Sequence, residues 1–356
     1  MVNNIELLIP FMTGFGGTEK VIHNLIQANK NDKSINIYIT QYGGTDDKYW
    51  VADSNYLSVK MHNNKKVRTL QYAILLPFWI MKKIKSTSSE VIISTNPMIW
   101  ALSYFWKKFF HKDITVVSWY HYSLKKKKIP SMLLKMADKY LAISTGVRDE
   151  LETAGVPRNL IFLVFNPIEP AENIITRSKK ITNFIYVGRV MLHGQKNLCE
   201  MFTALENIKG KAEWKLQIYG DGVPEEVSEA KKFVVDKGLN NKIIFNGFKD
   251  SVWDSINNVD ALILTSTYEG FGMVLAEALS HGVYAISSDC ETGPKDIIDG
   301  MNGRIYRLGE VDELTAILQN IVNKKEILPS QDILTQSVEK FSEKKYYDRF
   351  LQALNM

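Results

Sequence analysis

The chain has 356 residues, of which 45% are hydrophobic and 23% charged, and only two are cysteines. This length exceeds one hydrophobic core, so we expect two domains, and the composition excludes a disordered chain, a collagen-like chain and a disulfide scaffold. The net charge of +5 is uneven, since residues 1–170 carry +9 and the remainder −4, which indicates that one face meets an anionic partner.

Short β-branched apolar runs alternate with stretches of helical period in the first half of the chain. The pattern predicts a helix over 18–30 and a later helix that Ser144 or Thr145 caps. It predicts strands over 5–10, 35–40, 90–95, 114–118 and 139–143. This alternation is typical of a parallel, doubly wound sheet.

The pattern restarts after a segment at 166–173 that is rich in proline and polar residues and is therefore a candidate hinge. Strands are predicted over 183–187, 214–219, 242–245, 260–265 and 284–287. Helices are predicted over 197–208, 224–237, 271–280 and 311–323. We expect one Rossmann-like domain over 1–168, a second over 169–337, and a C-terminal helix over 338–356 that packs back on the first.

A glycine-rich loop, Thr13–Gly17, lies between the first predicted strand and the first helix. Amides at a helix N-terminus attract phosphate, and glycine allows a ligand to approach closely. The dinucleotide fingerprint would need a third glycine where Glu19 stands, and the second strand ends in Thr40 and Gln41 rather than in a ribose-binding acid. A nicotinamide dehydrogenase is therefore disfavoured, and a simple tight turn stays open for this loop.

Two further segments carry charged residues to positions where α/β sheets bind ligands. Arg189 and Lys196 lie seven residues apart in a loop that opens a helix, so the two cations could hold a diphosphate between them. A purely structural role explains Arg189 and Lys196 less well, because positive charge at the N-terminus of a helix interacts unfavourably with the helix dipole. Glu269 follows a strand and Glu277 lies about two turns along the next helix, where carboxylates can accept hydrogen bonds from sugar hydroxyls. Taken singly, each glutamate could instead be an ordinary capping or surface acid.

Together these motifs resemble the retaining nucleotide-sugar glycosyltransferases of family four, which have the GT-B fold. The resemblance is carried by Gly14–Gly17, Gly188 with Arg189, Lys196, Gly220–Gly222, and Glu269 with Glu277. It implies an α/β chain of two facing Rossmann-like domains with a deep cleft and a C-terminal helix. The first domain would bind the acceptor and the second the nucleotide sugar. It implies no cofactor, and the chain contains no Asp-x-Asp motif that would require a metal.

The resemblance also implies roles for individual residues. Those it places in the reaction are His121, Arg189, Lys196 and Glu269. Those it places at the donor are Gly16, Gly17, Ile218, Phe248, Phe271, Gly272, Met273 and Glu277. Arg189 and Lys196 would neutralise the departing diphosphate, Glu277 would bind the ribose, and Glu269 would hold the donor sugar.

The implied activity moves a hexose, with galactose the first expectation, from a UDP-sugar to a lipid-linked or cell-envelope glycan. Two other classes of function stay open. A nucleotide-sugar epimerase would need its own acid–base pair, for which His121 is the one candidate noted in the sequence. A non-catalytic partner of another transferase would bind the nucleotide sugar without reaction.

The anionic partner suggested by the charge is expected to be a membrane surface, since no nucleic-acid-binding motif accompanies the basic residues. Lys82, Lys83 and Lys85 follow an apolar run at 72–81, and Lys125–Lys128 precedes another, a pattern suited to an anionic bilayer. The aromatic stretch 100–110 fits a core better. No apolar run reaches the roughly 20 residues needed to span a bilayer, and no signal peptide is evident. We expect a cytoplasmic chain on the inner face of the cell membrane.

Overall fold

A computed structural model describes residues 2–14, 16–33, 35–52, 54–169, 171–210 and 213–355. Phe15 of the first glycine loop and Pro170 of the candidate hinge lie outside these residues. The chain divides into two compact units. Unit 1 consists of Met1–Pro167 and Glu343–Met356, and unit 2 consists of Ile168–Ser342.

Unit 1 is built on a parallel sheet of seven strands, β1 (Asn4–Ile9), β2 (Asn36–Gly43), β3 (Asn55–Lys60), β4 (Val91–Ser94), β5 (Thr115–Ser118), β6 (Lys139–Ala142) and β7 (Ile161–Leu163). The strand order is β3-β2-β1-β4-β5-β6-β7. Its helices are α1 (Gly17–Asp32), α2 (Lys65–Ser86), α3 (Pro97–Phe109), α4 (Ser131–Leu134) and α5 (Thr145–Thr153). Ser144 caps α5, because its side chain accepts a hydrogen bond from the amide of Val147 at 3.1 Å.

Unit 2 is built on a parallel sheet of six strands, β8 (Thr182–Val187), β9 (Trp214–Tyr219), β10 (Ile243–Gly247), β11 (Ala261–Leu264), β12 (Tyr284–Ser288) and β13 (Gly303–Tyr306). Its helices are α6 (Leu198–Asn207), α7 (Pro224–Asp236), α8 (Met273–Ser280), α9 (Pro294–Ile297), α10 (Val311–Val322) and α11 (Gln331–Ser337). The order β10-β9-β8-β11-β12-β13 is that of nucleotide-binding Rossmann sheets.

The last helix, α12 (Glu343–Asn355), belongs to unit 1. The hydroxyl of Tyr347 donates a hydrogen bond to Asn29 Oδ1 of α1 at 2.7 Å, and Tyr346 and Phe350 are fully buried. The helical period that starts at 338 is interrupted at Ser342, whose ψ of 150° is extended, so the helix begins only after it.

Every strand that the apolar pattern indicates is present, with bounds that differ by up to three residues. The pattern missed β3, β7 and β13, which all lie at sheet edges. No helix in the described part of the chain is long and apolar enough to cross a membrane.

Candidate active site at the carboxyl edge of the second sheet

The strand order of unit 2 reverses between β8 and β11, which are direct neighbours in the sheet. In open α/β sheets, ligands bind outside the carboxyl ends of the strands at such a reversal. The loop 188–197 leaves β8 at this point, and the loop 265–272 leaves β11 beside it. The fold therefore brings together the two segments that carry Lys196 and Glu269.

Hydrogen bonds join these two loops directly. The amide of Thr267 donates to the carbonyl of Gln195 at 2.7 Å, and Gln195 Nε2 donates to the carbonyl of Tyr268 at 3.2 Å. The hydroxyl of Thr265 donates to the carbonyl of Asn197 at 3.0 Å. The loops are thus held in one fixed arrangement, which is what a preorganised site requires.

Two glycines allow the close backbone approaches around this edge. A Cβ on Gly220, whose φ is +133°, would lie 1.9 Å from the carbonyl oxygen of Gly188. A Cβ on Gly293, whose φ is +92°, would lie 2.1 Å from the carbonyl oxygen of Phe271. Any other residue at either position would push apart the loops that carry the charged side chains.

Lys196 and Glu269 form an ion pair in which Nζ lies 2.7 Å from Oε1. The same carboxylate oxygen accepts a hydrogen bond from the hydroxyl of Ser266 at 2.6 Å. The hydroxyl of Thr292 donates to the carbonyl of Glu269. Since Glu269 is buried, the ammonium and hydroxyl groups supply the partners that a charge removed from water needs.

Arg189 is exposed, and its side chain forms no ion pair with the residues that the structure describes. Its carbonyl accepts a hydrogen bond from the buried hydroxyl of Tyr186 at 2.7 Å. Burial, reinforced by Glu269 and opposed by Arg189, raises the pKa of Tyr186 well above its ordinary value. Tyr186 therefore stays neutral and anchors the backbone from which the guanidinium extends.

Helix α8 starts at Met273, two residues later than the sequence pattern indicates. Gly272 adopts a left-handed conformation, with a φ of +89°, as the residue before the helix. Phe271 is buried and packs edge-on against Phe341 at 5.0 Å, which fixes the entry to the helix. The N-terminus of α8, whose first amides have no partner within the helix, follows Glu269 in the loop that leaves β11.

Glu277 lies within α8 and is held by Trp253, a residue that no sequence motif marks. The indole Nε1 of Trp253 donates a hydrogen bond to Glu277 Oε2 at 3.2 Å. The Trp253 ring in turn stacks on His281 at 4.9 Å. Trp253 belongs to a short 3₁₀ turn, Trp253–Ser255, with no motif around it, so no sequence signal points to this contact.

Two of the residues that the resemblance places at the donor, Ile218 and Phe248, occupy different environments. The side chain of Ile218 is fully buried within β9 and is part of the core. Phe248 is exposed directly after β10, at the same carboxyl edge as the two charged loops. Of the pair, Phe248 is the one whose side chain is accessible to a ligand.

His121 lies in unit 1, three residues after β5, and is almost fully buried beside Trp119, with ring centroids 4.7 Å apart. Within the described residues its Nε2 has no hydrogen-bond partner. Burial lowers the pKa of His121 to about 3, so the imidazole is neutral at pH 7.

Gly16 and Gly17 lie at the start of α1, at the carboxyl edge of the sheet of unit 1, close to Glu19, the acid that stands where the dinucleotide fingerprint has its third glycine. Glu19 Oε1 accepts a hydrogen bond from the amide of Gly14 at 3.1 Å. A Cβ on Gly16 would lie 2.5 Å from Glu19 Oε2. A carboxylate of the chain itself therefore complements the positive end of the α1 dipole.

No cluster of three or more His, Cys, Asp or Glu side chains that could hold a metal occurs among the described residues. Cys199 and Cys290 are unpaired thiols. Burial, together with the nearby charge of Glu269, raises the pKa of Cys290 to about 12, so this thiol stays protonated and unreactive.

Two family models match the chain: the model described as Glycosyltransferase Family 4 over residues 15–172, and that described as Glycosyl transferases group 1 over residues 181–324. A lipopolysaccharide 1,6-galactosyltransferase of Salmonella typhimurium is 32% identical, with 96% of each chain covered. The enzyme of the same name from Escherichia coli is 30% identical, with 95% of this chain and 94% of that enzyme covered.

Among solved structures, an apo lipopolysaccharide outer core galactosyltransferase has a TM-score of 0.85 and 29% identity, with 99% of each chain covered. The segments Ser118–His121 and Ser287–Cys290 predict a likeness to the lipopolysaccharide core 1,6-galactosyltransferases, and that likeness is confirmed. The predicted GT-B fold class, with two Rossmann-like domains, is confirmed as well.

Proposed function

The chain belongs to the family-four glycosyltransferases, and from that premise we propose its substrates and its reaction. It moves a hexose, galactose in the first instance, from a UDP-sugar to a lipid-linked or cell-envelope glycan, with retention at the anomeric carbon. The names of two relatives that match almost the whole chain support galactose and a lipopolysaccharide acceptor. The observation that carries the proposal is the Lys196–Glu269 pair at the strand reversal of unit 2.

The bond between the anomeric carbon and the diphosphate oxygen breaks, and the leaving group takes the electron pair. Arg189 and Lys196 stabilise the negative charge that develops on it. Each such preorganised donor contributes about 3–4 kcal/mol to transition-state stabilisation. These two cations can therefore take the place of a divalent metal, and the reaction needs no other cofactor.

Glu269 and the amides at the start of α8 hold the donor sugar, while Glu277 accepts hydrogen bonds from the ribose hydroxyls. Trp253 keeps the Glu277 carboxylate in place through its indole N–H. Phe248 contacts the uracil. The roles toward the donor that the resemblance implies for Gly16, Gly17 and His121 of unit 1 stay predictions.

The acceptor hydroxyl attacks the face that the diphosphate leaves, which gives retention without a protein nucleophile. The hydroxyl oxygen bonds to the anomeric carbon, and its proton passes to the departing phosphate oxygen. A neutral His121 suits this chemistry, because it can hydrogen-bond the sugar without adding positive charge beside an oxocarbenium-like carbon. The reaction takes place at the cytoplasmic face of the membrane, where the chain is peripherally bound.

The test measures UDP release from UDP-galactose, UDP-glucose and UDP-N-acetylglucosamine with a lipopolysaccharide core acceptor, and the anomeric configuration of the product by NMR. We expect UDP-galactose to be used fastest, with retention, and with no loss of rate in EDTA. Turnover with a GDP-sugar alone, an inverted product or inactivation by EDTA would contradict the respective part of the proposal.

Incubation of the donor without acceptor separates the other enzyme class. Intact donor or slow hydrolysis is expected here, whereas an epimerised sugar would indicate an epimerase. A non-catalytic role would leave the donor bound but unreacted under every acceptor condition.

A further inference from the structure

Helix α2 is apolar on two opposite sides. Leu76, Ile80 and Ile84 are buried against the core of unit 1. Three other apolar side chains, spaced four residues apart, form an outward stripe: Leu70, Ile74 and Phe78, which are 61%, 64% and 58% exposed. A helix whose outer side meets only water carries polar residues there, so this stripe indicates a partner.

The neighbouring helix α3 extends the exposed apolar surface. The indole of Trp106 on α3 donates a hydrogen bond to the carbonyl of Pro77 on α2 at 3.1 Å, so the two helices are in direct contact. The prediction that residues 100–110 form core is correct for the fully buried Trp100. It is wrong for Phe105 and Phe109, which are 49% and 62% exposed.

The charge on these helices has one sign. Together α2 and α3 contain no acidic residue and eight basic ones: Lys65, Lys66, Arg68, Lys82, Lys83, Lys85, Lys107 and Lys108. The helix dipole accounts for lysines in the last turns, but Lys65 and Lys66 begin α2, where positive charge is unfavourable. Neither the dipole nor core packing explains cations at both ends of an exposed apolar stripe.

We propose that the outward sides of α2 and α3 form the surface with which the chain docks on an anionic lipid bilayer. Leu70, Ile74 and Phe78 enter the boundary between headgroups and acyl chains. The exposed lysines at the two ends of α2, Lys65, Lys66, Lys82 and Lys85, meet the lipid phosphates, whereas Lys83 and Lys107 pair with carboxylates of unit 1. The four exposed lysines Lys125–Lys128 precede α4, whose Leu133 carbonyl accepts a hydrogen bond from Trp100 of α3 at 2.9 Å, and they add charge nearby. The inference rests on the membrane location in the proposed function and specifies the residues that produce it.

The test compares binding of the full chain to vesicles of phosphatidylglycerol and phosphatidylcholine with binding to vesicles of phosphatidylcholine alone. The variant L70S/I74S/F78S is expected to bind the anionic vesicles at least roughly tenfold more weakly, since three apolar side chains lose their burial in lipid. The matched control V235S/I327S/I333S removes three exposed apolar side chains of unit 2 and should bind normally.

A second variant, K82Q/K85Q, tests the charge. Lysines near an anionic surface each contribute about fivefold to binding, so roughly 25-fold weaker binding is expected. Lys83 is left unchanged because its Nζ lies 2.6 Å from the buried Glu6. Circular dichroism checks that every variant is folded.

Several outcomes would overturn the proposal that α2 and α3 form a docking surface. They are unchanged vesicle binding by L70S/I74S/F78S, an equal loss in the unit 2 control, equal binding to neutral vesicles, or no binding by the parent chain. A dimer of the parent chain that L70S/I74S/F78S dissociates would show a second copy to be the occupant. UDP release with a water-soluble acceptor, measured without detergent, should be unaffected by these substitutions. If the parent chain releases no UDP in this assay, the result counts against the proposed function and not against the docking surface.

Discussion

The ammonium group of Lys196 lies 2.7 Å from Oε1 of Glu269, and the two residues come from loops that follow neighbouring strands. One side chain is proposed to hold the diphosphate and the other the sugar. Because they contact each other, substitutions at the two positions should not have additive effects. The contact thus links the two parts of the proposed donor site.

Lys196→Ala should reduce turnover by about 100- to 1,000-fold, because it removes one of two cations that stabilise the leaving group. It should also lower the free energy of unfolding, since the buried Glu269 carboxylate loses its cation. UDP release and urea unfolding measure the two effects.

The double variant K196A/E269Q separates the loss of activity from the loss of stability. Replacing the carboxylate by an amide should restore much of the stability, because no unpaired charge is left, while activity stays low. Full recovery of activity in this variant would contradict the role of Lys196 at the diphosphate.

Arg189→Ala should reduce turnover by about 100-fold without loss of stability. Its guanidinium is exposed and pairs with no carboxylate in the described part of the chain, so folding does not depend on it. Thermal unfolding and UDP release are the measurements, and Arg307→Ala, at another exposed arginine of unit 2, is the control. A rate close to that of the parent chain would remove Arg189 from the proposed site.

Trp253→Phe should raise the KM for the nucleotide sugar about fivefold and change kcat little, because one hydrogen bond to Glu277 is lost. The phenyl ring can still stack on His281, so the fold is kept. Glu277→Gln should show the same pattern more strongly. A fall in kcat with unchanged KM would place Trp253 outside the ribose contact.

His121 should make stability depend on pH between about 6.5 and 3. Its pKa in the folded chain is lowered to about 3, whereas in the unfolded chain it is about 6.5. Between about pH 6.5 and pH 3 only the unfolded chain binds this proton. The free energy of unfolding therefore falls by about 1.4 kcal/mol for each unit by which the pH is lowered.

The variant His121→Gln should lack this part of the pH dependence. The other five histidines are common to both proteins, so the difference between their urea unfolding curves at pH 5 and pH 7 isolates His121. Parallel pH dependence in the two proteins would show that His121 is not buried as a neutral imidazole.

The central strands could be predicted from the sequence because their side chains are covered on both faces. Val91–Ser94 and Ala261–Leu264 are wholly buried and therefore appear as short, continuous apolar runs. The edge strand Asn55–Lys60 has no fully buried side chain and gives no such signal. Helix α2 was missed because Pro77 and its outward apolar stripe hide the period that a helix with one buried side would show.

The charged residues of the site could be predicted from their local motifs, but their contact could not. Lys196 and Glu269 are 73 residues apart, and only the adjacency of β8 and β11 brings them together. Ser266 and Trp253 lie outside any motif, because a single hydroxyl or indole that supports a carboxylate can come from many positions.

Unit 2 is a continuous insertion in unit 1, since the chain enters it at Ile168 and leaves it at Ser342. These two residues are paired as neighbouring extended segments, and the amide of Val2 donates to Asn355 Oδ1 at 3.0 Å near the chain ends. Cutting the chain at these two adjacent points would therefore release unit 2, residues 168–342, as a single polypeptide. Truncation after 342, in contrast, would remove α12 from unit 1. Trp119, the ring neighbour of His121, would then lose its contact with Phe350 of that helix.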